Sequence, residues 1–150
     1  VRIAETILRE NTDAKIAWQK TVVSSEEELK LNPDDIYSRF NLSVALYNIG
    51  EYQRSAEEFE KVEHLLPFRT LWYQIEPILA YYELGNYDRV FEITNRILNN
   101  YNRAFSELYI IRGNIYKHQG NTDAARSEFQ KAVFYNSYLK SAQEATKSLN

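Results

Sequence analysis

Two histidines, His64 and His118, are the chain's only imidazoles, and neither lies in an HExxH stretch that would set two ligands and a general base on one helix face. Cysteine is absent, which removes thiolate nucleophiles, disulfides and sulfur-ligated metals. The 4 glycines never cluster into a phosphate-cradling loop. Carboxylates are plentiful, but each group, such as Ser24-Ser25-Glu26-Glu27-Glu28, falls where a helix would turn it to water. These residue types predict no catalytic centre, no metal and no cofactor. What remains is contact chemistry, carried by 12 Tyr, 7 Phe and 2 Trp. A tyrosine can pack its ring and keep its hydroxyl wet, which suits both cores and contact surfaces.

The elements that hold these aromatics read as helices. Glycine and proline are scarce, with 4 and 3 in 150 residues, and the length suits one domain. A hydrophobic content of 44% and a charged content of 26% are ordinary for a globular chain. The net charge of −3, with no Lys/Arg cluster, argues against nucleic acid or an anionic membrane as partner. No apolar run reaches the ~20 residues that span a bilayer. The sequence therefore reads as soluble, cytoplasmic before extracellular. It begins at Val1 and contains no Met, which suggests a mature chain or a fragment.

The stretch Ser106 to Ala132 organises the rest. Tyr109, Gly113, Tyr116, Gly120, Ala125, Phe129 and Ala132 fall at helical spacings on two segments joined at Gly120-Asn121. Gly113 is small where a larger side chain would hold a partner helix away. The pattern recurs upstream: Gly50, Gly85 and Gly120 are 35 residues apart (85 − 50 and 120 − 85). Leu46, Tyr81 and Tyr116 stand four residues before each, and Tyr52, Tyr87 and Thr122 two after.

This pattern resembles the tetratricopeptide repeat (TPR) family, whose period is about 34 residues. The first copy carries Leu42, Ser43, Leu46, Gly50, Tyr52, Ser55, Phe59, Val62 and Pro67. The middle copy departs most, with Pro77-Ile78 and Thr94 in place of the usual pattern. The resemblance implies an all-α fold, a right-handed superhelix of about nine helices, within one domain over 1–150. A degenerate helix pair would occupy 1–33, repeats 34–67, 68–102 and 103–136, and a capping helix 137–150. In the degenerate pair, Ile3, Ile7 and Leu8 would share one side of a first helix. Thr12 would cap a second helix with Trp18, Val22, Ser25 and Leu29 facing inward. The later helices are expected over Ile36–Ile49, Tyr52–Leu65, Leu71–Leu84, Tyr87–Leu98, Arg103–Gln119, Thr122–Tyr135 and Ser137–Leu149. Pro77 should kink its helix or delay its start, and Glu57 and Lys61 should pair.

In the family, the first helix of each pair lines a concave groove that holds peptides. Projected onto this sequence, that face gives Tyr37, Phe40, Asn41, Val44 and Tyr47 from the first full repeat. The middle repeat gives Trp72, Ile75, Glu76, Leu79 and Tyr82. The last gives Glu107, Ile110, Asn114 and Lys117. Members that clamp a C-terminal carboxylate do so with basic groups. The matching positions are Phe40, Val44, Glu76, Glu107 and Ile111, none of them basic, so such tails are disfavoured. The pentatricopeptide RNA binders share the period of 35 but are basic. The resemblance thus implies a non-enzymatic scaffold that binds a peptide or helix of a partner protein. Two alternatives stand beside it: a subunit that stacks head to tail into oligomers or fibres, and the non-catalytic tail of a larger enzyme.

Overall fold

Three helix starts are marked by a short polar side chain, Asp35, Asn86 or Asn121, that takes up free backbone N–H groups. Asp35 accepts from the amides of Tyr37 (2.9 Å) and Ser38 (3.0 Å), and Asn121 accepts from that of Ala124 (3.1 Å). The chain turns between successive helices at Gly50, Gly85 and Gly120, with φ of 87°, 71° and 75°. A side chain is strained in that left-handed region, so the 35-residue period is in part a period of backbone geometry.

The computed structural model describes residues 2–67 and 69–149, with side chains from Glu10 onward. Among these are eight α-helices, one 3-10 turn and no strand, an all-α helical repeat. The helices divide between two compact units, Val1–Leu84 and Gly85–Asn150. The boundary falls between the two helices expected to form the middle repeat.

The first unit holds α1 (Arg2–Leu31), α2 (Ile36–Asn48), α3 (Tyr52–Glu60), a 3-10 turn at Thr70–Trp72, and α4 (Glu76–Glu83). Helix α2 packs against α1, α3 and α4. Val22 of α1 joins Leu42, Ala45 and Leu46 in a core that Trp18 and Leu29 flank, as the inward stripe predicted. Phe59 links α2 to α4, its ring 6.4 Å from those of Phe40 and Tyr81. Two reciprocal bonds close the α2–α3 crossing. Ser43 Oγ donates to the Ser55 carbonyl and Ser55 Oγ to the Ser43 carbonyl, each at 2.7 Å.

The expected break at Asn11-Thr12-Asp13-Ala14 does not occur: α1 is one helix of 30 residues, which leaves eight helices among the described residues where about nine were expected. The same four residues at 121–124 do open a helix, because Gly120 makes the turn before them; Glu10 stands in that place here. The expected shared side of Ile3, Ile7 and Leu8 lies outside the described side chains. Helix α3 ends at Glu60 and the chain continues in turns to Leu66, short of the expected Leu65 terminus. Lys61 pairs with Glu58 (2.7 Å), while Glu57 accepts from Gln53 (2.9 Å), so the expected Glu57–Lys61 pair is replaced. Pro77 does push its helix start later, into the first turn of α4.

The second unit holds α5 (Tyr87–Asn100), α6 (Ser106–His118), α7 (Thr122–Tyr135) and α8 (Lys140–Lys147). Gly113 of α6 faces the fully buried ring of Phe129 on α7. A Cβ on Gly113 would stand 2.5 Å from Cδ1 and 3.0 Å from Cζ of that ring. Arg112 donates to Asn95 (2.8 Å) and pairs with the buried Glu128 (3.4 Å), tying α5, α6 and α7 together. The expected capping helix is present but shorter than Ser137–Leu149: on α8 Ala142 is buried while Lys140, Gln143, Glu144 and Lys147 are exposed, so the last helix turns a polar back to water.

Candidate functional site

Helix α2 has neighbours on three sides, and this decides which of its groove candidates remain open. Tyr37 and Asn41 are exposed and Tyr47 is half-buried. Phe40 and Val44 retain only 2% and 1% of their surface, and both are corrected from groove to core. Phe40 lies against Phe59, and a residue sealed in that way cannot meet a partner.

The candidates of the middle repeat come from two different local structures. Glu76, Leu79 and Tyr82 lie on α4 and are half-buried. Trp72 lies in the 3-10 turn and Ile75 just before α4, so the helical face on which both were projected does not extend to them. The Arg69 guanidinium stands 5.7 Å over the Trp72 ring and covers part of it.

Packing of α2 against α4 puts Tyr47 in the electrostatic field of Glu83 and Glu76, the last and first residues of α4. Tyr52, the first residue of α3, sets its ring 5.4 Å from that of Tyr47 at 43°. Burial pushes the Tyr47 hydroxyl above its ordinary value, and the negative charge of Glu83, the Tyr52 hydroxyl and Glu76 add to that rise. The arrangement is an aromatic pair, Tyr47 and Tyr52, on helices α2 and α3, with Glu76 and Glu83 at the two ends of the neighbouring α4. The helical projection gave neither Tyr52 nor Glu83, since one lies on a second helix and the projection stopped at Tyr82, one residue before the other.

In the second unit, Ile110 and Asn114 of α6 are half-buried. Lys117 and Glu107 are exposed, and Lys117 donates to Ser148 Oγ (3.0 Å) after α8. Among the described residues no three His, Asp or Glu converge as a metal site would need, and no helix is long and apolar enough to cross a membrane.

Residues 106–138, which include α6, α7 and the Gly113–Phe129 contact, match the model of the tetratricopeptide repeat family. No curated protein matches the chain.

Proposed function

We propose that this chain, a helical repeat protein of the tetratricopeptide type, is a non-catalytic scaffold that holds a peptide or helix of a partner protein. The observation that carries this reading is the surface left open by α2 and α4: Tyr47, Leu79 and Tyr82 stay half-buried after their own helices have packed. Partly open aromatics bounded by core are the usual energetic anchors of interfaces. Tyr37, Asn41, Trp72, Ile75 and Glu76 extend the same proposed surface in the first unit. Ile110, Asn114 and Lys117 are its proposed counterparts in the second. The test is affinity capture with the parent protein and with Tyr47→Ala and Tyr82→Ala, each checked by thermal melting. A partner retained by the parent and lost by stably folded variants is expected. Equal capture by all three defeats the reading.

Self-association keeps one specific observation in its favour. On α1, Ile16 and Val23 are exposed at 44% and 53% on the side opposite Val22 and Ser25. An apolar stripe there suits contact with a further helix. Light scattering over a concentration series separates this reading from the first.

A further inference from the structure

The outer side of α1 is ordered by residue type as well as by position. Opposite the buried Val22 and Ser25, one line of the helix runs Ile16, Lys20, Val23, Glu27 and Leu31, at the spacing of a single helical face. Helix α1 packs against α2 by its inward stripe, and this opposite line is left open. Its three apolar members are exposed at 44%, 53% and 89%. Between them stand one cation and one anion, Lys20 and Glu27, both exposed. Neither makes an ion pair among the described residues. Ile16, Lys20, Val23 and Glu27 border a shallow hollow of about 320 Å³. Apolar, charged and apolar side chains thus alternate on an open face of about four turns.

We propose that this face binds the same face of a second copy of the chain, antiparallel, about a two-fold axis between Val23 and Ser24. A two-fold contact sets residue i against j and j against i, so every pairing occurs twice. Here Ile16 meets Leu31, Lys20 meets Glu27, and Val23 meets Ser24. Apolar lies on apolar and cation on anion. Ser24 can stand at the axis without leaving its hydroxyl free, because its Oγ donates to the Thr21 carbonyl (3.2 Å). The charges select this arrangement from its neighbours. A parallel pair in register would set Lys20 on Lys20 and Glu27 on Glu27. Sliding the antiparallel pair by one turn in either direction sets an apolar side chain against a charge. Sliding it two turns toward the N-terminus brings the two Lys20 together at the axis. In helix pairs, charges on the contact face set register and orientation in this way. The contact closes at two copies, unlike head-to-tail stacking, and gives a dimer in place of a fibre.

This inference rests on the self-association reading, and the experiment separates the two. The whole chain is followed by sedimentation equilibrium up to about 0.5 mM, because four turns of helix make a small interface. A monomer–dimer equilibrium with no larger species is expected. Lys20→Glu and Glu27→Lys should each raise the dimer dissociation constant at least about tenfold, since each sets like charges opposite one another at two places. Their melting temperatures in dilute solution should stay at the parent's value, because both positions are exposed. Mixed in equal amounts, the two variants should recover about the parent's affinity, since each chain then supplies the charge that the other has lost. Val23→Ser should weaken the parent dimer by a similar factor. Variants that associate like the parent, a mixture no tighter than either variant alone, or growth beyond two copies overturns the pairing on α1. In the first and last of these cases the chain still associates, through another surface, and the self-association reading stands. A parent that stays monomeric at every concentration defeats both.

Discussion

The α2–α3 and α6–α7 crossings occupy equivalent places 70 residues apart (113 − 43), yet they are closed by different physics. In the first, Ser43 and Ser55 exchange hydrogen bonds across the helices. The ring of Phe59 is placed against Phe40 and Tyr81. In the second, the hydroxyl is missing at Gly113, and Phe129 fills the space against the backbone. A small residue at this position is thus compatible with two solutions, polar pairing and ring-into-gap packing. The repeat conserves the approach of the helices and not the means of holding it.

The comparison breaks most sharply at Phe129. Phe129→Ala empties a fully buried site and should cost about 3–5 kcal/mol by urea unfolding. A loss near zero would mean the ring does not close the crossing. Gly113→Leu fills the same space from the other side and should cost roughly 1–3 kcal/mol by overpacking. Gly113→Ala sharpens the point: it should destabilise although alanine favours a helix by about 1 kcal/mol over glycine, because the new Cβ meets Phe129. A stabilised Gly113→Ala would show that the ring moves aside freely. Ser43→Ala, at the polar crossing, should cost only about 1 kcal/mol, the net worth of one hydrogen bond.

The smallest effect concerns pH and the ion pairs of the first unit. Burial pushes the Glu58 carboxyl up, but hydrogen bonds from Lys61 and Arg39 outweigh it and hold the group below 4.5. Because the folded value is the lower one, this stabilisation is present above about pH 4.5 and fades as pH falls through the folded value. Glu58→Gln should therefore flatten the acid limb of a stability–pH profile. An unchanged limb would remove Glu58 from the account.

The fold was largely legible because its markers are local. Gly120 with Asn121 gave the bounds of α7, and Gly113 gave the close crossing. The Asn-Thr-Asp-Ala motif misled at residues 11–14 because the signal lay in the residue before it. The candidate site was legible only in part. Helical spacing marks a face but not the number of neighbours around it, so Phe40 and Val44 read as surface although α1, α3 and α4 surround α2. Trp72 was set on a helix that Pro77 allows to begin only later. Tyr52 was missed because Tyr47 meets it through tertiary packing, and Glu83 because the projection stopped one residue before it.

The unbroken α1 has a kinetic consequence. A helix of 30 residues is about 45 Å long, while the 13 residues of α2 span about 20 Å, so the shorter cannot cover the longer. Residues 10–17 of α1 are all exposed, and the inward stripe begins only at Trp18. The amide hydrogens of one continuous helix should therefore exchange with solvent on a gradient. From residue 10 to residue 17 they are protected only by the helix's own hydrogen bonds, whereas from Val22 to Leu29 their release requires the helix to part from α2.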